Sequence, residues 1–531
     1  MLPFVVNPAR LLFILASIFL IVLVGLLSLF PIYSNDIFFN IAIGEYLFAT
    51  GSLPDVDPFI FPFKDVKLDV VPYEWASHLL FTALFLDFNF QGLIFFKALI
   101  FMVLASIPFL LAYRQQYFSP FIHLLFLIAL FPIHVRFILR ASMFTELFLV
   151  LVLSIILWLR DRPHNEGPLL LPLVFLVWTQ FHPGYPLGLF LVASLLGFLL
   201  IEACREKNFH KKKHELKKWG TATAFSTLAC AVQPSGFKAL IFPFTKVFDP
   251  EATIYKKYLY ENTPLYASDL VTSSITWGFL ALGLLSILMW VFYQTKLKDK
   301  YRYRHLDIFW ILVFIVFAAS GIRYVSISSW VLVLLTIQML ISYDRLTAPH
   351  ISKRGPALSK IGLAFFCLLF LGLGFKVYFQ GYSLVTHHRD PQSISEEPIF
   401  IKRQPIRAVL LLDQLGTEQL RLYNSYGMGS FLAWYWGGDP KIFQHGFHYN
   451  PSLFARYIDF QLTNEKVESL IEEYNLNAFL LRNIHRKKTE LPVLYRYLLN
   501  QPDWELVLRD HASLLFLRHS FWSDKIPVKK E

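Results

Sequence analysis

Apolar blocks, each near the length of about 20 residues that crosses a hydrocarbon layer about 30 Å thick, recur through the chain up to residue 380. No water-soluble core needs so many uninterrupted apolar segments, and they read as spans near 11–31, 93–113, 119–134, 143–159, 168–181, 186–203, 219–233, 271–293, 306–320, 324–343 and 360–379. The sequence therefore predicts a mainly α polytopic membrane protein with about eleven transmembrane helices. Composition agrees, since only 16% of residues are charged against about 25% in soluble proteins. The first block, Leu11 to Phe30, is longer than a signal-peptide core, and Pro31-Ile32-Tyr33 follows it in place of a small-residue cleavage site. It is expected to remain as an anchor.

A formal charge of +11 raises the question of nucleic acid, but the densest basic cluster, Arg205 to Lys218, lies between two apolar blocks, where topology explains it. No nucleic-acid partner is expected. With the N-terminus in the cytoplasm, the loops 114–118, 160–167, 204–218, 294–305 and 344–359 fall inside, and each carries Arg or Lys. The first outer loop, 32–92, is acidic in its first part, with Asp36, Glu45, Asp55, Asp57, Asp65 and Asp69 against Lys64 and Lys67. This topology requires Glu74 to Phe88 to lie along the membrane surface, because another span there would reverse every later loop. The expected location is a multi-pass position in a bacterial cytoplasmic membrane with the C-terminal domain outside. The three cysteines lie within or beside apolar segments, so no disulfide framework is expected.

From Gln380 the composition turns to mixed charge with turn signals, dividing the chain into a transmembrane module, 1–379, and an extracytoplasmic domain, 380–531. Apolar stretches at 408–412, 440–444, 477–482, 504–509 and 513–518 read as strands, and 451–461, 464–474 and 491–500 as helices, which predicts an α/β domain. The last two strands resemble a hairpin closed by Asp510-His511-Ala512, although their period-two alternation is partial. Gly427, Gly429 and Gly437-Gly438 read as turns, because no Gly-Lys-Ser/Thr follows them. Trp434, Tyr435 and Trp436 would pack on the membrane, the favoured reading, or stack on a sugar. His445 and His448 have no supporting ligand pattern.

The first outer loop opens with Asn35-Asp36, and apolar positions 37, 38, 41, 42 and 46 then repeat at helical spacing until Gly51-Ser52-Leu53-Pro54. The segment is expected to be an amphipathic helix on the outer surface. An acidic residue after the first span, then a surface helix, then a Gly-x-x-x-Pro-like turn resembles the glycosyltransferase-C class, particularly aminoarabinose transferases and protein O-mannosyltransferases. The chain resembles still more a poorly characterised group of bacterial membrane proteins related to that class, through Asp57-Pro58-Phe59, Glu74-Trp75, Trp178 to Gly184, Gln233-Pro234-Ser235-Gly236 and Tyr423 to Leu432. It departs from the pattern at Gln180-Phe181-His182-Pro183, where the group reads Asn-x-His-Gly, and at Asp36, where the mannosyltransferases pair two acids. The resemblance implies transfer of a hexose or pentose from a polyprenyl-phosphate donor to a glycan or lipid acceptor of the cell envelope, on the outer face.

Such a transfer needs a carboxylate to take the acceptor proton and cations to steady the departing phosphate. Asp36 is the candidate carboxylate; otherwise it helps cap the following helix. Glu74 and His78, one helical turn apart, are candidate substrate-binding residues or interfacial polar groups beside Trp75. His182 either binds substrate or closes the turn before Pro183-Gly184. Arg136, Arg140 and Arg323 fall on the outer side, against positive-inside logic; phosphate binding and ion pairing with outer-loop acids are the two readings. Lys238 has the same two readings, and Gly321 leaves room around Arg323. No cofactor is expected. A divalent metal on Asp36, Glu74, His78 and His182 is chemically permissible but lacks ligand spacing. Two further functions stay open, a non-enzymatic scaffold that binds envelope lipid or glycan, and a transporter, which would favour inverted repeats and broken helices at midplane.

Overall fold

A computed structural model describes residues 8–62, 65–68, 74–162, 165–207, 209–248, 260–267, 273–296, 301–347, 399, 403–446, 463–484 and 491–522. The chain divides into two compact units, one formed by 1–30, 94–245 and 255–386, the other by 31–93, 246–254 and 387–531.

Helices dominate the first unit. They are α1 (Pro8–Ser28), the second half of the helix whose full range is Trp75–Arg114, then Phe121–Ile133, Ser142–Leu159, Leu171–Phe181, Tyr185–Arg205, Phe209–Ala229, Gly236–Phe248, Ser274–Lys296, Arg304–Ala319 and Val325–Thr347. With α2 (Asp36–Thr50) of the second unit counted in chain order, these are α3 to α12. Six described helices are long and apolar enough to cross a membrane: Pro8–Ser28, Trp75–Arg114, Ser142–Leu159, Tyr185–Arg205, Ser274–Lys296 and Ile322–Leu346. Phe121–Arg136 and Gly167–Phe181 are apolar but shorter. The expected span 360–379 lies outside the described residues. The apolar part expected at 219–233 falls late in a helix that begins at Phe209 and carries the lysine cluster in its first turns.

Burial separates the centre of this unit from its rim. The apolar window of α12 is 94% buried, because α4, α5, α10 and α11 all pack on it. In α10 the corresponding figure is 28%, and Trp277, Leu280, Leu284, Leu288 and Val291 stay exposed. Their spacing of three and four residues draws one stripe along the helix, which is the face that lipid would cover. Leu11, Leu15, Ile18 and Val22 draw the same stripe on α1.

The second unit combines the first loop with the C-terminal residues. Its helices are α2, the first half of α3, α13 (Ile406–Leu415), α14 (Tyr426–Trp436), α15 (Asn464–Tyr474), α16 (Val493–Asn500) and α17 (His519–Trp522), and its strands are β1 (Leu422–Asn424), β2 (Ala478–Arg482), β3 (Trp504–Arg509) and β4 (Ser513–Arg518). The sheet order is β1-β2-β4-β3, with β1 parallel to β2 and the other pairs antiparallel. The hairpin closes as read, with the Asp510 carboxylate accepting the Ala512 and Ser513 backbone N–H groups at 2.8 and 2.7 Å. Its partial alternation has a cause, a register shift between Leu506 and Leu508 that inserts Val507.

Several local expectations are corrected here. Residues 408–412 belong to α13, whose buried Ile406, Val409, Leu412 and Leu415 repeat every three residues; a short apolar run does not distinguish the two periods. The stretch 440–444 contributes one bridge, Ile60 to Ile442, rather than a strand. Gly427 and Gly429 lie inside α14, not in turns. The expected helix 451–461 lies outside the described residues. In α2 the single apolar stripe gives way to continuous burial from Ile37 to Gly44, because α14 packs on it and Thr82 of α3 bonds the Ile41 carbonyl. Gly51 ends that helix in the left-handed region, with φ 68°.

Gly429 permits the closest of these approaches. A Cβ there would overlap the Gln444 carbonyl oxygen and the His445 Cα, both backbone atoms with no flexible end to move aside. Gly429→Ala is expected to destabilise this unit by about 1–3 kcal/mol, seen as earlier protease cleavage after α14 on heating. Unchanged melting would show that the backbone can part there.

Candidate functional site

Three of the predicted arginines converge in the first unit. Arg136 ends a 3₁₀ turn, His134–Arg136, that follows α4, and Arg140 precedes α5. Arg323 sits in a second 3₁₀ turn, Ile322–Tyr324, between α11 and α12. A third turn, Tyr260–Asn262, carries Glu261, and its carboxylate lies 2.7 Å from Arg140, 3.5 Å from Arg136 and 3.8 Å from Arg323. Backbone bonds secure this juxtaposition. Ile322 N–H donates to the Thr263 carbonyl at 3.0 Å, and Leu265 N–H to that of Ala319 at 3.2 Å, while Arg323 also donates to the Asn262 side chain at 3.2 Å. A Cβ at Gly321 would stand 3.5 Å from the Asn262 carbonyl oxygen, so the room beside Arg323 admits that backbone.

Burial by itself would raise the Glu261 pKa, but Arg140, Arg323 and Arg136 outweigh it and hold the carboxyl at about 2. Its ion pairs therefore contribute fully above the ordinary carboxyl value of 4.5 and are lost only as pH falls through about 2. His182 accompanies the cluster. Burial first, then Arg323, Arg140 and Arg136, lower its pKa to about 3, so it is neutral at physiological pH. Its Nδ1 pairs with Thr145 Oγ1 at 2.6 Å, and Trp178 donates to the same oxygen at 3.3 Å. Glu146, one residue on, is buried and accepts from Ser326 and Trp330 at 2.9 and 3.1 Å. Lys238 stands exposed on the first turn of α9 and takes part in none of these contacts.

The second unit holds the carboxylate candidates. Asp36 is half-buried at the first position of α2, where the helix dipole favours a negative charge. The residue before it, Asn35, makes no side-chain cap and instead bonds Gly427 and Gln404. Asn40 donates to the Asp36 carbonyl at 2.7 Å and pairs with His78 Nδ1 at 2.9 Å. Two of the predicted residues are thus joined through an amide that sequence reading passed over. Glu74 is buried, and its carbonyl accepts the His78 backbone N–H at 3.0 Å.

Asp57 and His445 form a further buried pair, Oδ2 to Nε2 2.5 Å, with His445 lying against the Phe39 ring at 4.3 Å. His445, unpartnered by any local pattern, finds its carboxylate 388 residues earlier. Trp434 packs among Phe38, Phe85 and Phe90, whereas Tyr435 and Trp436 both donate to Asp413, at 2.7 and 2.9 Å. Among the described residues no three His, Cys, Asp or Glu side chains form a metal-holding group. Glu261, Asn40 and Thr145 are the polar residues that sequence reading missed. Glu261 lies in a stretch of mixed charge between apolar blocks, with no spacing to single it out.

No protein-family profile matches this sequence, and no curated protein does. Solved structures do resemble it. The oligosaccharyltransferase AglB of Archaeoglobus fulgidus, in complex with an inhibitory peptide and a dolichol-phosphate, superposes with a TM-score of 0.56 at 13% identity, over 89% of this chain and 69% of that one. The same organism's oligosaccharyltransferase tethered with an acceptor peptide gives 0.51 at 13% identity, over the same shares of the two chains. ArnT from Cupriavidus metallidurans bound to undecaprenyl phosphate aligns over 96% of this chain and 97% of its own, at 13% identity and a TM-score of 0.49. At such identities the likeness is one of fold.

Proposed function

We propose, from the premise that this integral membrane protein has the fold of the glycosyltransferase-C class, that it transfers a sugar from a polyprenyl-phosphate donor to an envelope glycan or lipid. The observation that carries this reading is the convergence of Arg136, Arg140 and Arg323 on one carboxylate. Guanidinium forks match phosphate oxygens, and a cationic cluster stabilises the charge that a departing phosphate develops. The dolichol-phosphate held by AglB supports the same donor chemistry here.

In the proposed reaction the acceptor hydroxyl oxygen forms a bond to the anomeric carbon, the bond from that carbon to the phosphate oxygen breaks, and the prenyl phosphate leaves as a monoester. The hydroxyl proton passes to Asp36. The reading includes about eleven spans, an extracytoplasmic α/β domain over 380–531, an inside N-terminus and a bacterial cytoplasmic membrane. Glu74, His78, His182 and Lys238 are retained as candidate substrate contacts.

The test is transfer of labelled sugar from synthetic prenyl-phosphate donors by the purified protein in lipid. Arg140→Ala is expected to lower transfer about 10- to 100-fold, the weight of a charge-assisted hydrogen bond. Arg323→Lys should cost less, since the charge survives and the fork does not. Full activity in Arg140→Ala would exclude the arginine site. Prenyl phosphate binding without transfer from any donor would favour the non-enzymatic reading.

A further inference from the structure

We infer that Glu261 is a built-in counter-anion, which the phosphate of the ligand displaces from the three arginines and which returns to drive that phosphate out. The inference rests on the phosphate reading of the cluster and adds to it the residue that sets how tightly phosphate is held.

Charge and oxygen count carry the argument. Among the described residues three guanidiniums face the Glu261 carboxylate, whose oxygens lie 2.7, 3.5 and 3.8 Å from the nearest nitrogens of Arg140, Arg136 and Arg323. Only the first of these is a strong hydrogen bond. One carboxylate has too few oxygens to meet three planar forks at good distance. A phosphomonoester has three terminal oxygens and two negative charges, whereas the phosphodiester of the donor has two terminal oxygens and one charge. The cluster is therefore better matched to the monoester released by transfer than to the donor, which is the differential binding that accelerates a reaction.

The same match would hold the product too long without a competitor. Glu261 meets that need: its side chain is 28% exposed, more than those of Arg136 and Arg140, and its backbone is secured beside Arg323 whether or not the carboxylate is paired. Its pKa of about 2 keeps it an anion at any physiological pH. Glu146 does not serve this purpose, since it is buried and accepts from Ser326 and Trp330. Removing the Glu261 charge should tighten phosphate binding, because the cluster then loses a carboxylate that lies within 4 Å of all three guanidiniums.

The experiment measures binding of undecaprenyl phosphate to the full chain in nanodiscs, with competition by inorganic phosphate. Glu261→Gln is expected to bind at least about tenfold tighter, with kcat and KM both lowered because the product leaves slowly. Glu261→Asp keeps the charge but shortens the reach to Arg140, and should gain about threefold. Inorganic phosphate that competes with the same gain supports exchange at a site reading phosphate alone; a gain confined to the prenyl ligand supports exchange with the lipid headgroup. Unchanged or weaker binding in a folded Glu261→Gln, with Arg140→Ala still weakening it, overturns the inference and leaves the phosphate site standing. If both Glu261 variants fail to fold, Glu261 holds the turns together and the exchange is excluded. If neither the wild type nor any variant binds either ligand, the phosphate reading falls first.

Discussion

Replacing Asp36 by Asn is expected to lower sugar transfer by about 10²- to 10⁴-fold, the usual contribution of a positioned base, with expression and melting unchanged. The substitution removes the charge and nearly preserves the shape. Its structural cost should be small, because Asn nearly matches Asp in shape and the backbone bonds at this position, Asn40 to the carbonyl and the N–H to Ser34, do not use the carboxylate. The change in dipole interaction at the first position of α2 is worth about 0.3–1 kcal/mol, too little to unfold the unit. Transfer measured over a range of acceptor concentrations separates the roles. Loss in kcat indicates proton transfer, and loss in KM alone indicates binding. Full activity in Asp36→Asn would make the carboxylate structural and end the proposed role. Asn40→Ala should give a smaller loss, since it frees the link to His78 and leaves the acid in place.

The largest stability effect is expected far from the arginine cluster, at the buried pair of Arg160 and Asp307. Both side chains are fully buried. The guanidinium donates to Asp307 at 2.5 and 3.0 Å and to Tyr301 at 2.6 Å, and Tyr301 in turn donates to Asp307. Tyr303 lies against the guanidinium at 4.6 Å and donates to the Arg160 carbonyl at 2.6 Å. Asp307→Ala would leave a buried guanidinium without its counter-charge, which costs about 3–5 kcal/mol. The double change Arg160→Met with Asp307→Leu should recover much of that, because it leaves no charge to desolvate. Thermal unfolding in detergent reads both results. A single variant that melts with the wild type would show that water reaches this site.

Resemblance in the first loop, carried by Asp36, the helix after it and Gly51 to Pro54, led to the same fold class that superposition on the archaeal oligosaccharyltransferase shows. It was legible because each part has a local cause. A carboxylate at a helix start and a glycine in the left-handed region both act within a few residues. The arginine cluster of the first unit was half legible. Arginines beside apolar blocks stand out by their cost in that position, so Arg136, Arg140 and Arg323 could be singled out. Their partner could not, since Glu261 is one acid among several in a stretch without period or motif.

What the sequence determined by itself is set by quantities that add along the chain: apolar length, which makes spans, charge deficit, which excludes an ordinary soluble domain, and turn chemistry such as Asp510-His511-Ala512, which closes a hairpin. The tertiary structure alone decided what depends on pairs distant in sequence. It joined residues 31–93 with 387–531 in one compact unit, through bridges such as Ile60 to Ile442 and the pair of Asp57 with His445. It made a helix of 406–415, where an apolar run fits either period until a neighbour chooses a face. It also set three arginines around Glu261, more than a hundred residues from two of them, because Coulomb attraction depends on distance in space and leaves no mark on the local sequence.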